Sequence, residues 1–99
     1  MINPIENLNK TFDSRVRLGI MSTLMVNDKI NFNDLKDVIG VTDGNLASHI
    51  KSLEESGYIK VNKGFIGKKT NTTYMVTKAG EKAFQQHLTA LEKMIRSIK

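Results

Sequence analysis

Short polar side chains recur along residues 41–61, at spacings that place several of them on one face of a helix. Asn45, Ser48 and Ser52 carry groups that both donate and accept hydrogen bonds. This is the chemistry that reads base edges in a DNA groove, and near a helix N-terminus it also suits phosphate contacts. The segment therefore favours nucleic-acid recognition, although serine and asparagine are also ordinary residues on a solvated helix.

Basic residues are concentrated in the second half of the chain. The formal net charge is +5, and residues 1–41 contribute none of it because their five basic and five acidic side chains cancel. Residues 57–76 hold Lys60, Lys63, Lys68 and Lys69 without an acidic residue. Such a segment concentrates positive potential and predicts a polyanionic partner, the alternative being a lysine-rich loop that only aids solubility.

Other chemistries find little support in the composition. The 99 residues suit one small domain, and without cysteine they offer neither disulfides nor thiolate metal ligands. His49 and His87 fall on different predicted helices, so we expect surface or DNA-facing roles and no metal site. No phosphate loop, GxSxG motif or Cys/His pair is present, which predicts a non-enzyme without cofactors. No apolar run approaches the roughly 20 residues of a membrane span, so a cytoplasmic protein is expected.

Residues 1–32 predict an arm, one long helix and a brief strand. Asn3 and Pro4 resemble the cap and first position of a short amphipathic segment, which begins an arm over residues 1–13. Ser14 can cap a helix through Asn27. Residues 30–32 are too few for more than a short strand. The apolar positions expected to face the core from the long helix are Val16, Ile20, Met21, Leu24 and Met25.

Residues 33–57 predict two helices joined by a very short turn. Asn33 can cap a helix over residues 34–39, and Gly40 can end it in the left-handed conformation. Thr42 then caps the next helix, which gives helix-turn-helix spacing. The inward face of this helix is expected to carry Leu46, Ile50 and Leu53, with Ala47 allowing close approach of the neighbouring helix.

A hairpin is predicted after the second of these helices. Gly57 is placed to end the helix, and residues 58–61 start a strand immediately afterwards. Residues 72–76 can pair with it, which leaves residues 62–71, NKGFIGKKTN, as a flexible loop with a basic tip. A helix-turn-helix followed by a basic hairpin is a winged helix, a mainly α fold of the α+β class.

Together these segments resemble the small winged helix-turn-helix transcriptional regulators related to the MarR and ArsR groups of bacteria and archaea. The resemblance covers most of the chain and rests on SRVRLGIMSTL, FNDLKDVIGVTDGNLASHIKSLEESGYIKV, GFIGKKTNTTYMVTKAGEKAF and a terminal helix. It implies a single domain, 1–99, that binds specific double-stranded DNA with recognition helix 43–56 in the major groove and wing 62–72 on the minor groove or phosphates. The DNA contacts implied by position are Thr42, Gly44, Asn45, Ser48, His49, Lys51, Ser52, Lys63, Lys68, Lys69 and Thr70.

Two features separate this chain from better-known relatives. The cysteine and histidine clusters of ArsR-type metal sensors are missing, and no residue specifies a small-molecule effector.

Fold does not determine function, so a winged-helix module that binds a protein instead of DNA is the alternative interpretation.

The terminal helix predicts a homodimer. Thr77 can cap a helix that continues almost to Lys99, a length of about 30 Å at 1.5 Å per residue, and one small core cannot cover it. Its apolar positions repeat at steps of four and three, as in a helix packed against helices. The predicted interface of this two-fold homodimer joins the terminal helices 77–99 of the two chains, with the arm 1–13 packing beside them, although Phe84 and Leu88 could instead complete the chain's own core. Its residues are Ile5, Leu8, Phe12, Phe84, Leu88, Leu91, Met94, Ile95 and Ile98.

Overall fold

The computed structural model describes residues 3–98, so Met1, Ile2 and Lys99 of the predicted domain lie outside the described range. These residues form four α-helices and a three-stranded antiparallel sheet of order β1-β3-β2, which confirms the predicted α+β winged-helix fold. The elements are a 3₁₀ helix Lys10–Phe12, α1 Arg15–Met25, β1 Ile30–Asn31, α2 Phe32–Ile39, α3 Asp43–Glu55, β2 Ile59–Ile66, β3 Lys69–Val76 and α4 Lys78–Ser97.

The N-terminal arm is less regular than predicted. The Asn3 Oδ1 does accept a hydrogen bond from the Ile5 amide at 3.1 Å. Residues 4–7 nevertheless form turns and not a helix, because a segment this short cannot offset the cost of helix nucleation. Asn9 instead caps the 3₁₀ helix, accepting a bond from the Thr11 amide at 2.9 Å.

Helix α1 begins as expected and α2 does not. The Ser14 hydroxyl accepts a bond from the Arg17 amide and caps α1. The cap of α2 is Asn31, whose Oδ1 accepts from the Asp34 amide at 2.8 Å, so the prediction of Asn33 was wrong. Asn31 has the extended backbone of a cap because it ends β1, where it pairs with Thr73 of β3.

The turn between α2 and α3 follows the prediction. Gly40 ends α2 with φ of 75°, and the Thr42 hydroxyl caps α3 by accepting from the Asn45 amide at 3.2 Å. Leu46, Ile50 and Leu53 are buried as expected. Ala47, in contrast, is exposed, because its position next to Leu46 turns it about 100° away from the buried face.

The wing is a regular hairpin and not a flexible loop. Most of the predicted loop 62–71 belongs to β2 and β3, which pair from Ile59 with Val76 out to Ile66 with Lys69. Only Gly67 and Lys68 connect the strands, and the φ of 62° at Gly67 supplies the positive angle that two-residue hairpin turns need. The extended pairing is favoured by the β-forming Phe65 and Ile66 before the turn and by the threonines after it, which outweigh the nearby glycine Gly64.

The core lies between α1, α2, α3 and the sheet, and one aromatic residue each from the arm and α4 completes it. Phe12 is 1% exposed, and its ring lies 5.3 Å from that of Phe84, 5.3 Å from that of His87 and 5.4 Å from that of Tyr58. Phe12 and Phe84 therefore complete the core of their own chain, which corrects their assignment to a dimer interface. His87 is also buried, at 5% exposure, so the expectation of a surface or DNA-facing role was wrong.

Helix α4 is attached tightly to the base of the wing. Thr77 caps it as predicted, since its hydroxyl accepts from the Gly80 amide at 2.9 Å. The same hydroxyl donates to the Gly57 carbonyl at 2.7 Å, and the Thr77 amide donates to the Tyr58 carbonyl at 3.0 Å. Gly80 packs so closely here that a Cβ would lie 2.1 Å from the Tyr58 oxygen.

Although α4 spans 20 residues, none of the helices in residues 3–98 is long and apolar enough to cross a membrane.

Candidate nucleic-acid interface

Helix α3 presents an exposed polar face because its apolar residues anchor the opposite face in the core. Asn45, Ser48 and Lys51 are spaced three residues apart and are all exposed. Within residues 3–98 their side chains make no hydrogen bond, so their polar groups are available to a ligand. Thr42 and Gly44 are exposed at the start of the same helix.

Ser52 has a more restricted hydrogen-bonding capacity. Its hydroxyl donates to the Ser48 carbonyl at 3.3 Å within the helix, and the residue is half-buried. A hydroxyl whose proton is engaged in this way still offers its oxygen as an acceptor. Ser52 is therefore suited to accept a hydrogen bond from a base amino group.

His49 is held in place by a residue that the sequence analysis did not select. Arg17 of α1 donates from Nε to His49 Nδ1 at 3.0 Å, and its Nη1 donates to the Thr11 carbonyl at 3.3 Å. An Nδ1 that accepts a hydrogen bond leaves the proton of the neutral imidazole on Nε2. Burial and the positive charge of Arg17 both lower the pKa of His49. His49 is thus a neutral side chain whose Nε2–H can donate.

One acidic side chain at the start of α3 is neutralised within the chain. Asp43 Oδ1 lies 2.7 Å from Lys36 Nζ of α2, so an ion pair spans the turn between the two helices. The hydrogen bond to Asp43 and its charge raise the pKa of Lys36. The pair reduces the negative potential that Asp43 would otherwise place at the N-terminus of α3.

The outer half of the wing carries three of its four lysines. Lys63, Lys68, Lys69 and Thr70 are all exposed, and Lys68 lies in the turn itself. Thr70 also lines an open cleft of about 390 Å³ between β3 and the start of α2. The two sets of predicted contacts therefore lie on separate elements, a polar helix face and a basic hairpin tip, as a helix-turn-helix with a wing requires.

A family model described as a winged helix DNA-binding domain matches residues 16–95, which is most of the chain and includes both elements. The chain belongs to this family of winged helix DNA-binding domains. The match begins in α1 and ends within α4, so it leaves out residues 1–15 and 96–99.

Relatives of this winged-helix domain agree with the assignment. An uncharacterized protein of Methanocaldococcus jannaschii is 34% identical over 89 residues, covering 90% of this chain and 97% of its own. The structure of a transcriptional regulator homologue protein from Pyrococcus horikoshii OT3 is 34% identical with a TM-score of 0.82, covering 92% of this chain and 90% of that one. The predicted resemblance to small winged-helix regulators is confirmed by these matches.

The fold extends to more distant proteins. A protein assigned to the MarR family of transcriptional regulators, from Enterococcus faecalis V583, is 17% identical with a TM-score of 0.76. The likeness covers 90% of this winged-helix domain and 79% of that chain. At this identity it shows a shared fold.

A second surface of the winged-helix domain runs along α4. Leu88, Ile95 and Ile98 are 39%, 63% and 80% exposed, and Ile5 of the arm is 61% exposed. Leu8, Leu91 and Met94 are half-buried. Within the chain, therefore, the predicted dimer residues between Leu88 and Ile98 form an apolar stripe on α4 that is at least partly open to solvent.

Three residues near the interface were missed from the sequence. Arg17 was absent because its contact with His49 joins α1 to α3 across 32 positions. Phe65 and Ile66, which are 74% and 68% exposed at the wing tip, were taken as part of a loop. Strand alternation in residues 59–66 is the signal that could have placed them on the wing's two faces.

Proposed function

We propose that this protein is a transcriptional regulator that binds specific double-stranded DNA as a homodimer. In this proposal α3 and its C-cap, residues 43–56, enter the major groove, and wing residues 62–72 contact the minor groove and the phosphates. The observation that carries the proposal is the pairing of an unsatisfied polar helix face with a basic hairpin tip on a winged helix DNA-binding domain. Family membership points to a binding protein and not to an enzyme.

The helix is the element suited to base reading. Asn45 and Ser48 can donate and accept, which permits pairing with the distinct patterns that base pairs present in the major groove. The neutral His49 adds a donor, and Lys51 adds a cation that can contact a phosphate or a guanine edge. The short side chains at the start of α3 allow its backbone to approach the DNA closely.

The wing is the element suited to phosphate binding. The exposed lysines Lys63, Lys68 and Lys69 lie on a hairpin whose residues 57–76 include no acidic side chain. Positive charge of this kind binds the DNA backbone without regard to sequence and releases counterions, so its contribution is salt-dependent. The wing is therefore expected to supply affinity, and α3 to supply specificity.

A second copy of the chain is the partner that best fits the α4 stripe. Exposed apolar residues at Leu88, Ile95 and Ile98 would be costly to leave in water, and a two-fold partner would bury the same stripe on both chains. The α4 residues of this interface are Leu88, Leu91, Met94, Ile95 and Ile98, with Ile5 and Leu8 of the arm beside them. Dimers of this kind read paired half-sites about one helical turn apart.

Selection of preferred sites from a random duplex pool tests the proposal directly. A recovered palindrome would support specific binding and two-fold symmetry together. Lys68→Ala with Lys69→Ala should weaken binding to all sequences and reduce the salt slope by about two units if both lysines neutralise phosphates. Absence of any enriched site, together with salt-independent binding, would reject the DNA proposal and favour a protein-binding winged-helix module.

Sedimentation equilibrium tests the dimer. Ile95→Asp with Ile98→Asp should give a monomer at micromolar concentration, because both side chains are exposed in the single chain and their replacement leaves its core intact. Val26→Asp is the matched control, since Val26 is 81% exposed at the end of α1 and belongs to neither α4 nor the arm. A wild-type monomer that binds a palindrome at full affinity would overturn the homodimer.

A further inference from the structure

Two large apolar side chains lie at the end of the wing. Phe65 and Ile66 directly precede the Gly67–Lys68 turn and are 74% and 68% exposed. Successive strand residues point to opposite faces, so one apolar side chain projects from each side of the hairpin tip. Ile59 and Tyr74, nearer the base of the same hairpin, are buried. The tip residues therefore contribute little to the core of the chain.

The apolar pair is surrounded by positive charge. Lys68 occupies the turn, Lys69 is the cross-strand partner of Ile66, and Lys63 precedes Phe65 by two residues on the same face. The hairpin carries no acidic residue between positions 57 and 76. A surface of this composition suits a partner that is anionic at its rims and less polar between them.

We propose that the wing tip is an apolar wedge that enters the minor groove of duplex DNA. Phe65 and Ile66 pack against the two groove walls and the base edges, while Lys68 and Lys69 contact the phosphates on the rims. Proteins that bind the minor groove frequently insert phenylalanine or isoleucine, which widens the groove and partly unstacks a base step. This inference rests on the proposed function, and it assigns to the wing a second, non-ionic source of affinity.

The hairpin geometry is consistent with such a wedge. The turn has only two residues, and its strands remain paired as far as Ile66 and Lys69. A paired hairpin holds both apolar side chains before binding, so little conformational entropy is lost when the tip enters a groove. The groove is about 6 Å wide in B-form DNA, so entry of the tip requires the widening that apolar insertion produces.

A variant that removes the apolar groups and keeps the charges tests the wedge. Phe65→Thr with Ile66→Thr retains β-favouring residues at both exposed positions, so the hairpin should persist. Its affinity for a duplex should fall about tenfold, as partial burial of the two side chains implies, while the salt slope stays at the wild-type value. Val26→Thr is the matched control, with an 81% exposed valine outside the wing, and should bind as the wild type does.

Distamycin, a ligand that fills the minor groove, tests whether Phe65 and Ile66 act in that groove. On a duplex whose A·T-rich segments are saturated with distamycin, the wild type and the double threonine variant should bind equally, because the groove is already filled. A difference between them that persists with distamycin would overturn the minor-groove assignment.

The remaining outcomes separate the wedge from the proposed function. If the wild type binds duplex DNA with a steep salt slope and the double variant loses less than threefold in affinity, the wedge is wrong and the DNA-binding function stands. A loss accompanied by a shallower slope would show that the residues act through the lysines, and a changed sedimentation mass would show a contact between copies; either result overturns the wedge. A wild type that fails to bind any duplex rejects the proposed function itself.

Discussion

Gly80→Ala is expected to destabilise this protein strongly, although alanine is the better helix former. A Cβ at position 80 would lie 2.1 Å from the Tyr58 oxygen and 2.9 Å from its carbonyl carbon, whereas ordinary contacts begin at 3.4 Å. Helix α4 would have to move away from Tyr58 by about 1.3 Å, which is the difference between the 3.4 Å of an ordinary contact and the 2.1 Å to the Tyr58 oxygen. The obstacle is backbone, so rotation of a side chain cannot relieve the clash.

The retreat removes the contacts that attach α4 to the wing. The bonds from Thr77 to the carbonyls of Gly57 and Tyr58 would be lost or lengthened, at about 1 kcal/mol each. Residual overpacking adds about 1–3 kcal/mol, and the higher helix propensity of alanine returns about 1 kcal/mol. The free energy of unfolding should therefore fall by about 2–4 kcal/mol, a large part of what a small domain has.

Urea unfolding followed by circular dichroism measures this change, with the protein concentration held constant because dimerisation would contribute to stability. The midpoint should fall by about 1–2 M for Gly80→Ala at an ordinary m-value. Gly44→Ala is the matched control, since a Cβ there meets nothing within 4 Å, and it should stabilise by about 0.4–1 kcal/mol. If both variants shift the midpoint in the same direction, the close approach of α4 to Tyr58 is not what selects glycine at position 80.

Three further predictions concern pH, capping and specificity. Burial lowers the pKa of His87, and the charge of Asp13 opposes this shift, so on acidification the unfolded chain binds a proton before the folded chain does. The free energy of unfolding should therefore be at its full value above the unfolded pKa of about 6.5 and should decrease below it. In urea midpoints measured between pH 7.5 and 5, His87→Gln should make this decrease smaller. Asn31→Ala should cost about 1 kcal/mol in thermal or urea unfolding because it removes the cap of α2, whereas Asn33→Ala should change stability by less than about 0.5 kcal/mol; equal losses would contradict the observed cap. Asn45→Ala should remove about 1–3 kcal/mol of discrimination at one base-pair position in competition binding, and a loss spread evenly over selected and random duplexes would reassign Asn45 to the DNA backbone.

Local interactions made much of this fold predictable from the sequence. Ser14, Thr42 and Thr77 each accept a bond from an amide three residues ahead, so the residue type and its place before an apolar period were enough to locate three helix starts. The end of α3 at Gly57 could be predicted in the same way. Its positive φ ends α3 while the amides of Gly57 and Tyr58 donate to the Glu54 and Leu53 carbonyls.

The errors came from contacts between distant parts of the chain. Asn31 and Asn33 are equivalent candidates for a cap, and the choice is made by the pairing of Asn31 with Thr73. His87 and Phe12 are buried because the arm folds back over α4, where the Asn9 amide donates to His87 Nδ1 at 3.0 Å across 78 positions. Nothing in the periodicity of either segment indicates this contact. The exposed positions on α3 could be predicted from the sequence because the helical repeat of its apolar residues defines one buried face, and the remaining positions then face outward.

The attachment of α4 to the wing has a mechanical consequence for a dimeric regulator. Gly57 and Tyr58 connect α3 to β2, and the same two carbonyls hold Thr77 at the start of α4. Helix α3 and helix α4 thus meet at one joint with two hydrogen bonds and a glycine contact. In the proposed homodimer, with this joint held rigid, the crossing angle of the two α4 helices would set the distance between the two α3 helices. A substitution or ligand that rotates one α4 against the other would change the half-site spacing that the dimer accepts, without touching a DNA contact.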